Sequence, residues 1–350
     1  MATRSSRAPI QVDAIHPDAW NKTKLNRILT QSRGRKILVV GDVGIDRYTL
    51  GSVERISPEA PVPIVAVEEE KLKLGLAANV ADNIHVLGGI PILVGVVGKD
   101  RCADDFRSLL TASGLQANQL VVDPTRRTVL KERVVSERQQ LLRIDYESLH
   151  NLSPRVEAQI LRKVKAWLPK VDGVIVEDYA KGVLTESLMS QIFKAAKRAG
   201  KKLALDPNLK TPVQHYRGAT VLTPNTHEAE VLSGVRIVNQ ESLVQAGFSI
   251  LRLTDAQHVV ITRGKEGMAI FTAGCSVVRL IPTYAKEVYD VSGAGDTVIS
   301  VLMMSLLSGA LIEEAAVLGN LAAGIEVGKR GTATVSPEEI RKSLELFEGM

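Results

Sequence analysis

Short apolar runs, each bounded by glycine, proline or charged residues, recur along the chain from residue 36 onward. Because these runs lack the alternation of polar and apolar residues, they are typical of strands that are buried on both faces of a parallel sheet. We predict six such strands: KILVVGD (36–42), PILVGVVG (91–98), VDGVIVED (171–178), KLALDP (202–207), ATVLTP (219–224) and HVVITRG (258–264).

The segments between these runs have the spacing of amphipathic helices. In TESLMSQIFKAAKRAG, Leu188, Ile192 and Ala196 fall on one helical face, and Thr185 is placed to cap the first turn. The segment SPEE (336–339) has the pattern of a capping box with proline in the first turn, and it predicts the start of the final helix. Alternating strands and helices predict an α/β fold, in which a central, mostly parallel sheet carries helices on both faces.

Two segments depart from this rhythm. RYTLGSVERISPEAPVPIVAV (47–67) and TVLKERVVSERQQLLRIDYE (128–147) alternate polar and apolar residues, as strands with one wet face do. We expect them to form a small β-sheet lid on a single domain that spans residues 36–350. Residues 1–35 read as a polar leader with one amphipathic turn near Trp20 to Leu29.

Composition narrows the class of protein. The 350 residues are 45% hydrophobic, which is enough for a large core, and the formal charge of +5 is spread among many acids. Without a basic stripe, we expect an anionic small molecule as partner and no nucleic acid. Two distant cysteines and the lack of a long apolar stretch lead us to expect a cytoplasmic protein with no membrane span.

The segment DVSGAGDTV (290–298) directly precedes a strongly apolar run. A helix beginning here presents unpaired amides and partial positive charge, and small residues let an oxyanion approach those amides. Gly293, Ala294 and Gly295 would supply the amides, while the Asp296 carboxylate could accept a proton from an attacking hydroxyl. A tight turn with an aspartate cap is the alternative for the four letters GAGD alone.

Two loops that follow predicted strands are candidates for ligand contacts. In TPNTHEAE, Asn225 and Glu228 lie where α/β sheets place ligand loops, although the same two residues are also expected as a helix cap and a first-turn acid. In ITRGKEG, Arg263, Gly264 and Gly267 could shape the phosphate side. That loop alone reads as a turn.

Further acids and cations are candidates for binding a polar small molecule. Asp42 and Asp46 follow the first strand and could accept hydrogen bonds from the hydroxyls of a ligand such as a sugar, although for Asp46 a helix cap or a surface acid is an equal alternative. A ligand that carries a phosphate would also need cations. The lid offers Lys131, Arg133, Arg138 and Arg143, of which strand alternation leaves two as solvated charges. For such a phosphate we expect Lys131 and Arg138 to bind it, helped by Lys181 and Arg55.

Three motifs together resemble one family. D-x-x-G-A-G-D (290–296), N-x-x-E (225–228) and A-A-N-V-A (77–81) are similar to the signatures of ribokinase-like, PfkB-type carbohydrate kinases, in order over roughly residues 36–347. The resemblance implies MgATP as cofactor, Asp296 as the base and the amides of residues 293–295 as an anion hole. It also implies that Asn225 and Glu228 organise Mg²⁺, its water and the nucleotide phosphates. Further implied contacts are Asp290, Arg263, Gly264 and Gly267 for the nucleotide and Asp42, Gly75 and Asn79 for the sugar.

Within that family, GDVGIDRY, RISPEAPVP, RQQLLRIDYE, DYAKG and EVYDVSGAGDTV resemble the branch that phosphorylates D-glycero-β-D-manno-heptose 7-phosphate at its anomeric hydroxyl. That reaction makes a 1,7-bisphosphate for ADP-heptose and lipopolysaccharide cores. The lack of an HxGH motif leads us to expect the kinase without a nucleotidyltransferase domain, and lid pairing in the family implies a homodimer. The alternatives are a kinase of the same fold for another sugar, sugar phosphate or nucleoside, and a sugar-phosphate sensor that has lost catalysis.

One position departs from the family pattern. Where relatives usually read G-G-A-A-N, this chain has Leu76 after Gly75. A leucine does not adopt a positive φ cheaply and does not let a sugar approach as glycine does. Either the backbone tolerates the leucine or the affinity for the substrate is weakened.

Overall fold

The structure is a computed structural model that describes residues 10–15, 20–136, 139–285, 288–329 and 333–346. Its strands are β1 (Gln11–Ala14), β2 (Lys36–Gly41), β3 (Val43–Ile56), β4 (Pro63–Leu76), β5 (Ile90–Val94), β6 (Val96–Val97), β7 (Val121–Val122), β8 (Val129–Ser136), β9 (Gln139–Tyr146), β10 (Gly173–Glu177), β11 (Lys202–Asp206), β12 (Val221–Leu222), β13 (His258–Thr262), β14 (Met268–Thr272) and β15 (Val277–Ile281). Its helices are α1 (Lys22–Gln31), α2 (Ala77–Val86), α3 (Arg101–Ala112), α4 (Pro154–Trp167), α5 (Glu186–Arg198), α6 (Thr226–Ser233), α7 (Gln240–Thr254), α8 (Ala294–Leu307), α9 (Ile312–Glu326) and α10 (Pro337–Glu345).

A nine-stranded sheet forms the centre of the molecule, in the order β1-β15-β14-β13-β12-β11-β10-β2-β5. The strands from β5 to β13 are parallel, β14 is antiparallel to both of its neighbours, and β1 pairs in parallel with β15. This arrangement confirms the predicted, mostly parallel sheet. All six predicted strands are present, and the last part of the PILVGVVG segment forms β6, which pairs with β7 in a separate two-stranded sheet.

Two apolar cores lie on the two faces of this sheet, because successive side chains of a strand point to opposite faces. In β2, Ile37 and Val39 pack into one core with α1, α2, α3, α8, α9 and α10. Leu38 and Val40 pack into the other core with α4, α5, α6 and α7. The predicted helix caps are also present, since Thr185 accepts a hydrogen bond from the Leu188 amide at 3.2 Å, and Ser336 and Glu339 form a capping box at α10.

A separate four-stranded sheet, in the order β4-β3-β8-β9, forms the lid. The chain leaves the central sheet at Gly41, passes Asp42 and enters β3 at once; it returns through β4 directly into α2. The Ala77 amide donates to the Asp42 carbonyl at 3.0 Å, so the outward and return crossings are tied together. The lid is therefore joined to the main domain at the start of α2, next to the AANVA segment.

The segment before residue 36 contributes to the domain. β1 extends the central sheet, and Leu25, Ile28 and Leu29 of α1 are buried in the core beneath α10. The apolar side chains of α1 explain this packing, which differs from the predicted separate leader. Among the described residues, no helix is both long enough and apolar enough to cross a membrane.

Candidate active site

The site is built around the first turn of α8. Gly293 is the residue before the helix and has φ +99°, a left-handed conformation that glycine adopts without the steric cost of a side chain. Ala294 and Gly295 follow as the first helical residues, and first-turn amides have no partner within their own helix. Because Ala294 and Gly295 line the cleft described below, the positive end of the helix dipole faces that cleft.

Asp296 lies in the same first turn and is 8% exposed. Its two carboxylate oxygens accept hydrogen bonds from neutral donors, the Asn79 side-chain amide at 2.6 Å and the Tyr179 hydroxyl at 2.5 Å. Burial raises the pKa of Asp296 to about 6, and the hydrogen bonds from Tyr179 and Asn79 oppose that rise. Among the described residues, Asp296 has no ion pair with a lysine or arginine, and its two neutral donors leave its charge uncompensated, which suits a proton acceptor.

A cleft of about 760 Å³ opens beside this turn. Ala294 and Gly295 form part of its wall, and Asp206 and Thr223 lie at its inner end. The rest of the wall comes from the loops after β12 and β13, from the segment before α8, and from α9. A cleft at the carboxyl ends of parallel strands, with a helix N-terminus in its wall, is typical of sites that bind phosphate groups.

Asn225 and Glu228 of the N-x-x-E motif cap a helix and also line the cleft. Asn225 accepts a hydrogen bond from the Glu228 amide at 2.9 Å, and Glu228 accepts one from the Asn225 amide at 2.8 Å, so the pair forms the capping box of α6. Both residues also line the cleft. Their predicted contact with Mg²⁺ and phosphates stays a prediction.

Of the other residues predicted to contact the nucleotide, some line the cleft and some are bonded within their own loop. Gly264, Lys265 and Gly267 line the cleft, as the loop interpretation expects. Arg263 instead pairs with the neighbouring Glu266, which directs its guanidinium to the loop itself. Asp290 accepts the Ser292 amide at 2.9 Å and shapes the turn before α8.

Asp42 lies at the crossing into the lid and is 1% exposed. Its carboxylate accepts backbone N–H groups of Tyr179 and Lys181 at 3.2 Å and of Val183 at 3.3 Å. Burial raises its pKa to about 6, and these hydrogen bonds oppose the rise. In this structure Asp42 holds the DYAKG loop in place, and its contact with sugar hydroxyls stays a prediction.

Asp46 is buried and bound to a lid arginine. The Arg133 guanidinium donates to its carboxylate at 2.6 Å and also stacks 5.4 Å from the Tyr48 ring. Gly75 stands opposite, where an added Cβ would approach the Asp46 carboxylate to 2.7 Å. Asp46 is therefore neither a helix cap nor a surface acid, and the structure gives Gly75 a packing reason to be small.

The predicted phosphate-binding cations have different surroundings. Lys131 places its ammonium 5.5 Å from the centre of the Tyr179 ring and forms no ion pair within the described residues. Lys181 is paired with Glu147 at 2.6 Å. Arg55 lies on β3 toward its exposed end, Arg143 pairs with Asp145, and Arg138 is outside the described residues. Lys131 therefore lies over Tyr179, the residue that donates a hydrogen bond to Asp296.

The leucine that breaks the family pattern takes the conformation that glycine would have taken. Leu76 has φ +59° and ψ −141°, directly before α2, and its side chain is buried. Residues other than glycine in such regions cost roughly 1–3 kcal/mol of strain. The backbone therefore accommodates the leucine, and the strain is located three residues before Asn79.

Three residues of the site were missed by the sequence reasoning. Tyr179 donates to the base, while Glu177 and Asp206 end the adjacent strands β10 and β11 in register. One carboxylate oxygen each from Glu177, Asp206 and Asp296 lies within 4.8 Å of the others, so these residues could hold a metal ion. The available signal was an acid that ends each of two buried runs, VIVED and LALDP, because the carboxyl ends of neighbouring parallel strands meet at one edge.

Known sequences that resemble this chain include one family model and several curated proteins. The model of a family described as pfkB family carbohydrate kinase matches residues 10–339. The bifunctional protein HldE of Desulfatibacillum aliphaticivorans is 46% identical over 310 residues, which cover 89% of this chain and 63% of that protein. The HldE of Geobacter sulfurreducens is 44% identical over 312 residues, with the same two coverages. The chain thus spans about 63% of the length of these curated relatives.

Solved structures share the fold. Arabidopsis thaliana ribokinase, complexed with ribose and ATP, has a TM-score of 0.72 and 20% identity over 89% of this chain and 99% of its own. Phosphofructokinase-2 from Escherichia coli, in complex with potassium, has a TM-score of 0.74 and 18% identity over the same shares. At these identities the likeness shows the ribokinase-like fold alone.

Proposed function

Because this chain belongs to the pfkB family of carbohydrate kinases, we propose that it transfers the γ-phosphoryl group of ATP to the anomeric hydroxyl of D-glycero-β-D-manno-heptose 7-phosphate. The observation that carries the proposal is the position of Asp296. A buried carboxylate, held by two neutral donors, lies in the helix turn that also lines the cleft.

The chain's own residues divide the work of the reaction. Asp296 accepts the proton of the attacking hydroxyl, while Tyr179 and Asn79 fix the orientation of its carboxylate. In this proposal the amides of Gly293, Ala294 and Gly295, at the start of α8, stabilise negative charge on the transferred group. Because there is little covalent chemistry for the protein in phosphoryl transfer, this positioning and electrostatic support are the main contributions.

A hard divalent cation fits the donors of the cleft. Glu228 and Asp206 line it with carboxylate oxygens, which are the ligands that Mg²⁺ prefers. When bound with ATP, Mg²⁺ neutralises charge on the β- and γ-phosphates.

The choice of a phosphorylated heptose rests on the lid and on the five segments that resemble the heptose 7-phosphate branch of the family. Lys131 projects from β8 over Tyr179 without a carboxylate partner in the described chain, and its pKa is lowered mainly by burial. A half-buried ammonium close to the base is well suited to hold the far phosphate of a sugar phosphate. The Lys181–Glu147 pair lies nearby and would have to open for Lys181 to join it.

The test is product formation from MgATP and heptose 7-phosphate, followed by phosphorus NMR. We expect a new anomeric phosphate resonance with the 7-phosphate retained. A panel of fructose 1-phosphate, tagatose 6-phosphate, ribose and nucleosides discriminates the rival kinase reactions. Faster turnover of any of these would replace the heptose assignment and leave the kinase mechanism intact. No turnover of any acceptor, with tight binding of a sugar phosphate, would favour a sensor.

The lid also supports pairing of two copies of the chain. Val53, Ile56 and Val67 on β3 and β4 and Leu142 on β9 are exposed apolar side chains on this small sheet. Exposed apolar patches on a sheet are typical of protein interfaces. We expect a homodimer in light scattering, and Val67→Glu should shift it toward the monomer.

A further inference from the structure

A second concave surface lies at the amino edge of the central sheet, opposite the carboxyl edge that carries the cleft. This groove has a volume of about 700 Å³ and is lined by the start of β11, the segment before β12, the last turns of α5 and the segment after α7. Along β11, Lys202 at the groove and Asp206 at the cleft are roughly 13 Å apart, at about 3.3 Å per residue. Among the described residues, none lines both the groove and the cleft.

The groove is rich in lysine. Its wall carries Lys194, Lys197, Lys201 and Lys202, while its floor includes the buried apolar side chains of Phe193, Leu203 and Ala219. A concave surface that carries one sign of charge over an apolar floor focuses the electric field and raises the local concentration of oppositely charged ions. The shape and the charge together are typical of a surface that attracts anions.

The two acids that line the groove are paired with other residues. The Asp255 carboxylate accepts a hydrogen bond from Arg217 at 2.7 Å, and Glu186 lies 3.5 Å from His215. Within the described chain, no carboxylate forms an ion pair with any of the four lysines. Since Arg217 and Asp255 cancel, four lysines against Glu186 leave a net charge of +3 with His215 neutral.

Capping of α5 does not account for these lysines. Basic residues near a helix end often bond the last carbonyls. Here the carbonyls of Ala195, Ala196 and Lys197 already accept hydrogen bonds from the backbone amides of residues 199, 201 and 200. Neighbouring like charges on a helix are mildly destabilising. The lysine cluster therefore costs some stability unless an anion offsets it.

One of the four lysines is held in place. The Lys202 ammonium donates a hydrogen bond at 2.7 Å to the carbonyl of Leu306, in the last turn of α8. This acceptor is neutral, so the positive charge is not cancelled, and an ammonium has two further N–H groups to offer. Fixing a long side chain in advance reduces the entropy that binding a ligand would cost. Lys202 is consequently a pre-organised contact for an anion.

We propose that this groove binds a small molecule that carries two or more phosphate groups. Its volume is in the range of small-molecule sites. Lysine binds phosphate as a point charge, without the fixed geometry that arginine imposes. A single phosphate monoester carries about two negative charges near neutral pH, so a net charge of +3 favours a ligand with more than one phosphate.

Lysine footprinting tests this proposal with tripolyphosphate as the probe. The full chain is labelled with an amine-reactive reagent at rising tripolyphosphate concentrations, and mass spectrometry measures the labelling of each lysine. We expect saturable protection of Lys194, Lys197 and Lys201, whereas Lys165, an exposed lysine of α4, should stay labelled. Because each lysine reports on its own position, binding of the probe in the cleft does not obscure the result.

A matched pair of variants isolates the groove. Lys197→Gln and Lys165→Gln each remove a lysine from the last turn of a helix, but only Lys197 lines the groove. Lys197→Gln should raise the tripolyphosphate concentration that half-protects Lys194 by roughly 10-fold, the lower end of the worth of a hydrogen bond to a charged group. Lys165→Gln should leave that concentration unchanged.

Three results would overturn the proposal. The first is labelling of Lys194, Lys197 and Lys201 that does not depend on tripolyphosphate. The second is the same half-protecting concentration in the two variants. The third is protection of the groove by a polyglutamate peptide but not by tripolyphosphate, which would assign the groove to an acidic protein segment. These measurements need neither ATP nor a sugar, so failure of the kinase assay leaves them unaffected.

Discussion

The central sheet and the lid treat charged side chains in opposite ways. At the carboxyl edge of the central sheet, Glu177, Asp206 and the neighbouring Asp296 form no ion pair with a lysine or arginine of the described chain. In the lid, Asp46 is bound to Arg133, and Arg143 is bound to Asp145. Acids left without cations are available for protons, metals and phosphates, whereas paired charges hold a geometry.

The difference follows from how each sheet is solvated. The central sheet is covered by helices on both faces, so its polar groups collect at the strand ends, where neutral donors bond Asp206 and Asp296. The lid has only partial cover, and its alternating strands carry opposite charges side by side. Chemistry is therefore expected at the central edge, and shape and substrate selection at the lid.

Replacing the base at the edge of the central sheet should have the largest effect, which is a loss of turnover. Asp296→Asn removes the proton acceptor and keeps its size, so turnover should fall by a factor on the order of 10² to 10⁴. Steady-state kinetics measures the loss, and binding of a non-hydrolysable ATP analogue should survive as the control. Near-normal turnover would remove Asp296 from the mechanism.

Breaking the buried ion pair between Arg133 and Asp46 in the lid should have the next largest effect, which is a loss of stability. In the unchanged protein the side chains of Arg133 and Asp46 are 14% and 9% exposed. Arg133→Met leaves the Asp46 carboxylate buried without its cation, so the free energy of unfolding should fall by about 3 kcal/mol. Urea denaturation measures it. The matched control is Arg143→Met, whose pair with Asp145 is more exposed, and which should cost under about 1 kcal/mol. Equal losses in the two variants would contradict a structural role for the buried pair.

The unpaired lid cation is expected to select the substrate. Lys131→Met should raise KM for a phosphorylated sugar by roughly 10- to 100-fold, the worth of a hydrogen bond to a charged group. KM for the unphosphorylated analogue should change little. Lys71→Met, on an exposed lysine paired with Glu69, is the control. The same rise with both sugars would argue against a phosphate contact.

The smallest expected effect lies where the two sheets join. At Leu76, φ is positive, so Leu76→Gly should be more stable than Leu76→Ala by about 1 kcal/mol, although glycine is ordinarily the less stable of the two. Both variants lose a buried side chain, so the comparison isolates the backbone. Urea denaturation of the pair checks it. An alanine variant that is the more stable one would show that the backbone relaxes away from this conformation.

Much of the fold could be predicted from local pattern. Continuous apolar runs such as KILVVGD and HVVITRG predict their buried strands, and alternation in residues 128–147 predicts a half-wet sheet. The apolar face of α1 predicts only an amphipathic turn in a leader, because nothing in its own residues shows what it packs against. Packing partners are a property of the whole chain.

By itself, the sequence determined six buried strands, the two lid segments, the caps of α5 and α10, the glycine turn before α8 and the acid within it, because each depends on residues that are close along the chain. Only the tertiary structure decided which acids meet. Strand order brings Glu177 and Asp206 to one edge, and the packing of α8 adds Asp296 and its bond to Tyr179. Asp42 and Asp46 acquired their partners in the same way, since a carboxylate's role depends on the donors and charges that distant segments place around it.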